Sequence, residues 1–296
     1  MTENTNLLIH LGGLGDACLS ESIFFSLFRY YEEGMIGLGN KRFLQLFKEY
    51  FTEVESVEIR KWIYLFSNAE PRTIWKRIIF IGKDRHGYLR KRWQRFSQQP
   101  LIFIDMYPDI AMEKEQGIQG VGNGKILDHL NPGILEPEHI ETYQLRQLAA
   151  YGIRPLIKTI NPRPSRRVIL YPETGFIKEK WDMNNFISLY ERLRSQGIMV
   201  VVLQALDTPI PVKERIYIED IAHVKSIFQE GGIFFSNDSG MAHLAGACGL
   251  FTITLFFQYD PRIWHPRGSN ICLIPGKDSI TVDSIAGTIM EILAKA

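Results

Sequence analysis

The chain carries almost no net charge: 34 Lys and Arg against 33 Asp and Glu leave a formal +1 over 296 residues. That balance removes the global field that steers a protein toward nucleic acid or an anionic membrane. Cysteine is scarce as well. Cys18, Cys248 and Cys272 are far apart, lack metal-ligand spacing and leave one thiol over in any pairing scheme, which points to reduced thiols in a cytosolic protein. No run approaches the roughly 20 apolar residues of a membrane-spanning helix. No basic region followed by an apolar stretch and a cleavage site opens the chain, so no secretory signal is read and a cytoplasmic location is expected. Neither a P-loop nor a G-x-G-x-x-G dinucleotide fingerprint is present.

What is there suits a two-domain α/β protein. With 45% hydrophobic residues the chain can bury a large core, and its length allows two domains of roughly 150 residues each. The most informative stretch is Gly232 to Gly249. Apolar residues lead into Ser236-Asn237-Asp238-Ser239-Gly240, and small apolar residues with helical character follow. That order reads as strand, tight turn, helix start, with Asp238 or Ser239 as cap and Gly240 allowing close approach to the backbone. Such a helix N-terminus suits an anion, most usefully a phosphate. His243 falls one turn inside, near the same mouth. An ordinary capped helix after a buried strand explains the pattern equally well.

A second unit of this kind opens the chain. A strand over residues 6–11 leads into Gly12-Gly13-Leu14-Gly15-Asp16 and a helix over about 17–31. Asp16 reads as a helix cap or as a carboxylate in a cleft. A helix over 41–50 and strands over 77–82 and 100–105 follow. Between those strands Lys76, Arg77, Lys83, Arg85, Arg90, Lys91, Arg92 and Arg95 face Asp84 alone, with Tyr88, Trp93 and Phe96 interleaved. This is a solvated helix face or a local anion site; the near-neutral remainder argues against nucleic acid. Residues 106–137 read as a loop. A helix over 138–151 ends at Gly152, and the proline-bearing stretch 154–167 is the best linker. Beyond it strands and helices alternate: strands over 168–171, 199–203, 233–236, 252–256 and 271–274, helices over 183–196, 219–229, after Ser239, and 282–294. This alternation implies parallel sheets with the glycine turns on one edge.

At these residues the chain resembles glycosyltransferase family 9, the lipopolysaccharide heptosyltransferases. Residues Asp238 to Ala245 resemble its D-[ST]-G-x-x-H-x-A motif, and Leu14-Gly15-Asp16 its L-G-D turn. Tyr171-Pro172-Glu173-Thr174 with Lys178 and Trp181 resembles H-P-x-x…K-x-W. Phe256, Asp260-Pro261, Trp264 and Pro266 resemble its F-G-x-T-D-P-x-x-W-x-P loop, and His139 to Ile153 the helix closing its first domain. The matches run in order through the second half and at both ends of the first; residues 40–130 match only vaguely.

The resemblance implies a GT-B fold: two doubly wound Rossmann-like domains, 1–155 and 156–296, facing across a cleft. It implies an inverting, metal-independent transfer of heptose or a related sugar from a nucleotide diphosphate such as ADP-heptose to a glycan or lipopolysaccharide-core hydroxyl, without a cofactor. Asp16 would be the base. Thr174, Lys178, Asp238, Ser239, Gly240 and His243 would hold the donor, while Gly13, Arg90, Lys91 and Arg92 would meet an anionic, lipid-linked acceptor, with peripheral attraction to the inner membrane face. The chemistry is consistent: the attacking alcohol must lose a proton, and the leaving diphosphate gains charge that a helix N-terminus and a lysine can stabilise. No D-x-D-like metal motif sits near a strand end.

The sequence also departs from the family. Its histidine is Tyr171 here, its F-G is Phe256-Phe257, and Trp181 falls one residue late, so Lys180 competes with Lys178. After the strand at 199–203 only Asp207 could serve as the acidic residue that reaches a ribose. Trp181, Phe256 and Trp264 read as packing residues rather than sugar platforms. The altered positions keep two other readings open: a sugar-nucleotide epimerase or hydrolase in the same cleft, and a non-catalytic nucleotide-sugar or glycan-binding protein.

Overall fold

The computed structural model describes residues 2–70, 72–108, 137–173, 179–205, 210–278 and 280–295. The first unit runs β1 (Thr2–His10), α1 (Leu14–Leu19), α2 (Glu21–Tyr30), β2 (Met35–Gly39), α3 (Lys41–Leu44), β3 (Glu53–Ser56), α4 (Ile63–Phe66), β4 (Ile74–Ile81), α5 (Tyr88–Trp93), β5 (Ile102–Ile104) and α6 (Ile140–Leu148). The second runs β6 (Arg167–Tyr171), α7 (Met183–Ser195), β7 (Met199–Gln204), β8 (Arg215–Tyr217), α8 (Ile221–Gln229), β9 (Ile233–Asn237), α9 (Gly240–Ala247), β10 (Phe251–Leu255), α10 (Pro261–Trp264), β11 (Asn270–Leu273) and α11 (Val282–Lys295).

The strands form two sheets, ordered β3-β2-β1-β4-β5 and β11-β10-β9-β6-β7-β8, and every pairing is parallel. In both, the first strand of the unit lies inside and the chain winds outward to each side. The order therefore reverses between β1 and β4 in one sheet and between β6 and β9 in the other, the crevices where doubly wound sheets bind ligands. Sequence explains the central strands: Leu7, Leu8 and Ile9 of β1 and Phe234 and Phe235 of β9 have no solvent exposure, as strands covered on both faces require.

The helices follow their caps and apolar stripes. Asp182 accepts from the Asn184 amide at 2.8 Å to start α7, which buries Phe186, Leu189, Tyr190 and Leu193 on one face. Asp220 starts α8 in the same way, and Gly152, at φ +69°, ends the helical stretch of α6. Three expectations need correction. The helix over 17–31 is two helices that meet at Ser20. The helix over 41–50 keeps α geometry only to Leu44 and then tightens into a 3-10 stretch, with Phe47 out of helical geometry at φ −119°, ψ 26°. Strands β2, β3 and β8, short and without clean alternation, escape the sequence reading altogether.

One apolar cluster fills the outer face of each sheet. A third runs through both units and joins Leu8, Phe24 and Ile79 to Ile169, Phe234 and Leu244. Between the sheets, residues 152–166 have no regular secondary structure, as the prolines suggest. The segment is nevertheless stitched down on both sides. Ser26 Oγ accepts from the Leu156 amide at 2.8 Å and Ser22 Oγ from the Lys158 amide at 2.9 Å. Further along, the Arg163 amide donates to Gly249 O at 2.8 Å, and the Gly232 amide to Arg163 O at 2.9 Å.

Candidate functional site

The turns after β1 and β9 meet. Helices α1 and α9 pack together at their N-terminal ends because Gly15 and Gly240 take little space. A Cβ on Gly15 would lie 3.0 Å from the His243 ring, and one on Gly240 would lie 3.1 Å from Leu14 Cβ and 3.3 Å from the Gly15 amide. Between the units at this point is a cavity of about 580 Å³. The first unit lines it with Gly13, Leu14, Gly15, Asp16, Leu19, Phe43 and Tyr107; the second contributes Asp238, Ser239, Gly240, His243, Tyr259 and Trp264.

Asp16 is the third residue of α1, and its Oδ2 accepts from the Gly13 amide at 2.7 Å. The two readings of this residue are therefore compatible: the carboxylate reaches back to the start of its own helix, and that bond aims it into the cavity wall. Beneath it lies His10, fully buried, its ring edge-on to Phe24 at 5.7 Å. Burial holds His10 down at about 4, so this imidazole is neutral near pH 7.

On the other side Ser239 is the N-cap of α9, its Oγ accepting from the Ala242 amide at 3.3 Å. Ser239 and Gly240, at the start of this eight-residue helix, line the cavity, so its positive end is directed there. Asp238, just before the cap, is buried, and burial pushes its carboxyl up to about 7. His243 is buried with no hydrogen-bond partner for Nδ1. Burial first, then the neighbouring His139 and His265, lower it to about 3. It packs against Gly15 as a neutral ring and is no proton carrier near pH 7. His139 and His265 stack beside this region at 3.9 Å, tying the start of α6 to the loop after α10.

Of the sequence candidates, Gly13, Asp16, Asp238, Ser239, Gly240 and His243 come together in one wall. Thr174, Lys178 and Asp207 lie outside the described residues. Lys180 is exposed and does not line the cavity. The basic segment also stays outside it. Arg90 stacks its guanidinium 4.3 Å from the Phe103 ring. Arg92 donates to the carbonyls of Tyr64, Leu65 and Ala69, so its charge serves the packing of α5 on α4. Lys91 is exposed. Among the described residues, no group of three or more His, Cys, Asp or Glu side chains could hold a metal.

The sequence reading missed two features. The first is Asn237, fully buried at the end of β9. Its Oδ1 accepts from the Trp181 amide at 2.8 Å and its Nδ2 donates to Pro172 O at 3.2 Å, so it holds Pro172 and Trp181, which flank Thr174 and Lys178 in the sequence. The second is aromatic. Trp181 and Phe256 are core residues, as expected, but Trp264 joins Phe43, Tyr107 and Tyr259 in the cavity wall. The F-G-x-T-D-P-x-x-W resemblance already carried Trp264; nothing local in the sequence marked Phe43 or Tyr107.

No family model matches the sequence, and no curated protein matches it. The fold is similar to that of solved structures. A family 9 glycosyl transferase from Veillonella parvula aligns with 100% of this chain and 99% of its own, at TM-score 0.68 and 13% identity. The E. coli heptosyltransferase WaaC with ADP aligns over 97% and 99%, at TM-score 0.67 and 14% identity. E. coli ADP-heptose lipopolysaccharide heptosyltransferase II aligns over 98% and 99%, at 0.60 and 15%. At such identities the likeness establishes architecture: this chain has the GT-B fold, two parallel doubly wound α/β units whose switch-point turns meet at one cavity.

Proposed function

We propose that this chain is a glycosyltransferase that moves a sugar, heptose or a related one, from a nucleotide diphosphate to an acceptor hydroxyl with inversion. One observation supports this above all: a carboxylate, Asp16, and the N-terminus of α9 open into the same cavity from different units. Direct displacement at an anomeric carbon needs both at once, a base on the attacking side and positive potential on the leaving side. Asp16, aimed by the Gly13 amide, takes the proton of the attacking hydroxyl. The first turn of α9, with Ser239 and Gly240, receives the developing charge of the leaving diphosphate. Thr174 and Lys178 are assigned to the same diphosphate, and Asn237 holds Pro172 and Trp181 on either side of them in the sequence. In this reading helix and lysine supply the positive charge, so no metal is required. The neighbour with ADP and a second E. coli WaaC structure with ADP-2-deoxy-2-fluoro heptose support this donor class.

Calorimetric titration of ADP, UDP, GDP and dTDP without metal tests the donor half. One diphosphate should bind selectively, and Lys178→Ala should weaken it about tenfold or more. Asp16→Asn should cut transfer about 10²–10⁴-fold, the usual worth of a general base, with diphosphate affinity nearly unchanged. Undiminished turnover in that variant would remove Asp16 from the reaction. Binding without turnover across a broad acceptor panel would favour a non-catalytic protein, and donor consumption without acceptor a hydrolase or epimerase.

A further inference from the structure

The transfer reading gives Asp16 a task and leaves the imidazole beneath it unexplained. His10 ends β1 with 1% of its surface exposed, and among the described residues its Nε2 has no hydrogen-bond partner. A buried polar atom left unpaired is a cost that an apolar ring at the same position would avoid, so packing alone does not account for a histidine here.

Its surroundings supply another reason. The space that a Gly12 Cβ would fill is taken from two residues at once: such an atom would lie 2.9 Å from His10 Cε1, 2.5 Å from Asp16 Cβ and 2.8 Å from Asp16 Oδ2. Ring and carboxylate side chain therefore close on the same point of the turn, which only a glycine leaves open. The ring also meets the main chain of Asp16. Burial holds His10 down, while the backbones of Asp16 and of His10 itself act the other way, as carbonyls facing a ring N–H do. With Nε2 unpartnered, the nitrogen that meets them is Nδ1, and the proton of the neutral ring is assigned to it. Behind the ring there is little room to retreat. Phe24 lies edge-on at 5.7 Å and is itself backed by Phe47 at 5.8 Å and Phe51 at 5.4 Å.

We infer that His10 is the positioning residue for Asp16: its Nδ1–H and ring edge fix the turn over 12–16 from the core side, while the Gly13 amide holds the carboxylate at 2.7 Å from its own helix start. A side chain outside the cavity lining thereby sets where the base stands, as a rigid supporting shell does. The inference rests on the reading of Asp16 as the base and adds the residue that aims it.

Three substitutions in the full chain test this. His10→Phe keeps a ring and removes both nitrogens. It should melt no lower than wild type, yet lower kcat about 10–10²-fold, the cost of a small misplacement of a reacting group, with diphosphate affinity and acceptor KM unchanged. His10→Asn, whose Nδ2 stands near the place of Nδ1, should recover part of that kcat. His10→Gln, whose amide reaches toward the place of Nε2, should recover less, and this contrast holds even where a melt shows His10→Phe to be unfolded. A second readout needs no turnover. Gly13 is exposed, so its amide owes its protection to Asp16 Oδ2, and its hydrogen exchange, followed by NMR, should quicken about tenfold in His10→Phe and less in His10→Asn. Unchanged Gly13 protection in folded variants overturns the inference whatever the rates. So does a kcat loss matched by equal losses in KM, diphosphate affinity and melting temperature, which marks packing alone. Normal turnover in Asp16→Asn, or no transfer by wild type, defeats the transfer reading instead; Gly13 exchange then still decides whether His10 sets the turn.

Discussion

Asp238 shows how one residue links the stability of this protein to its site. It follows directly on a strand with no exposed residue, and its carboxyl is buried, which favours the protonated form and raises it from near 4 to about 7. A carboxyl raised on folding binds its proton more tightly in the native than in the unfolded state. Its contribution is therefore fully present below pH 4, falls as pH rises through 4 to 7, and is flat above. Asp238→Asn should remove that dependence and make the protein more stable than wild type at pH 8, by on the order of a few kcal/mol. Urea unfolding at pH 4.5 and pH 8 checks this; parallel pH dependence in both proteins would show that the carboxyl is not held neutral. His10 and His243 are lowered rather than raised, so near pH 7 neither carries charge into the site.

At the scale of elements, helix α9 is decisive. It is packed so closely that its glycines are set by their neighbours. A Cβ on Gly246 would sit 2.3 Å from the Arg267 carbonyl oxygen, a backbone atom that cannot swing away. Gly246→Ala should cost about 1–3 kcal/mol, as overpacking does. Gly287, exposed in the middle of α11 with nothing within 4 Å of its would-be Cβ, should respond with the opposite sign: Gly287→Ala should gain about 0.5–1 kcal/mol from helix propensity. Chemical denaturation of the pair separates packing from propensity. The sequence could not have told these two glycines apart, because both stand inside apolar helical patterns and only the neighbour across space distinguishes them.

Over the whole molecule the two units are fastened through buried charge. Arg267, in the loop before β11, inserts its guanidinium into the first unit. Nη1 donates to Glu21 Oε2 at 2.5 Å, Nη2 to Lys158 O at 2.9 Å and to Ser22 Oγ at 3.2 Å, while Nε lies 2.7 Å from Glu141 Oε1 in ion-pair contact. Tyr50 adds a hydrogen bond to Glu21 at 3.1 Å. Elsewhere on the same interface Lys225 of α8 donates to Leu46 O and lies 5.5 Å over the Phe47 ring. Arg267→Met should cost about 3–5 kcal/mol, since it leaves the buried Glu21 and the half-buried Glu141 carboxylates without their cation. Adding Glu21→Gln and Glu141→Gln should recover much of that loss. Calorimetric melts check both; an unchanged melt in Arg267→Met would show that the network does not hold the units together.

Much of this was legible in the residues. The strand–turn–helix units at Gly12 and Asp238 and the parallel alternation of the second half rest on local signals: apolar runs, caps, and glycines at turns, which a chain carries wherever it folds; the GT-B architecture came from the family resemblance of the motifs at those turns. Asp16, Asp238, Ser239 and Gly240 were found because each sits at such a signal. What needed the folded molecule was everything set by partners distant in sequence. β2 exists because β1 offers it a ladder, and β3 because β2 does, not because their own residues favour strands. Arg90 and Arg92 read as a free basic patch until Phe103 and three backbone carbonyls met them. Tyr107 and Trp264 became one wall only when the two units closed on each other. Local signals are encoded residue by residue along the chain; contact across more than a hundred residues depends on how whole sheets pack, and no short stretch of sequence carries that information.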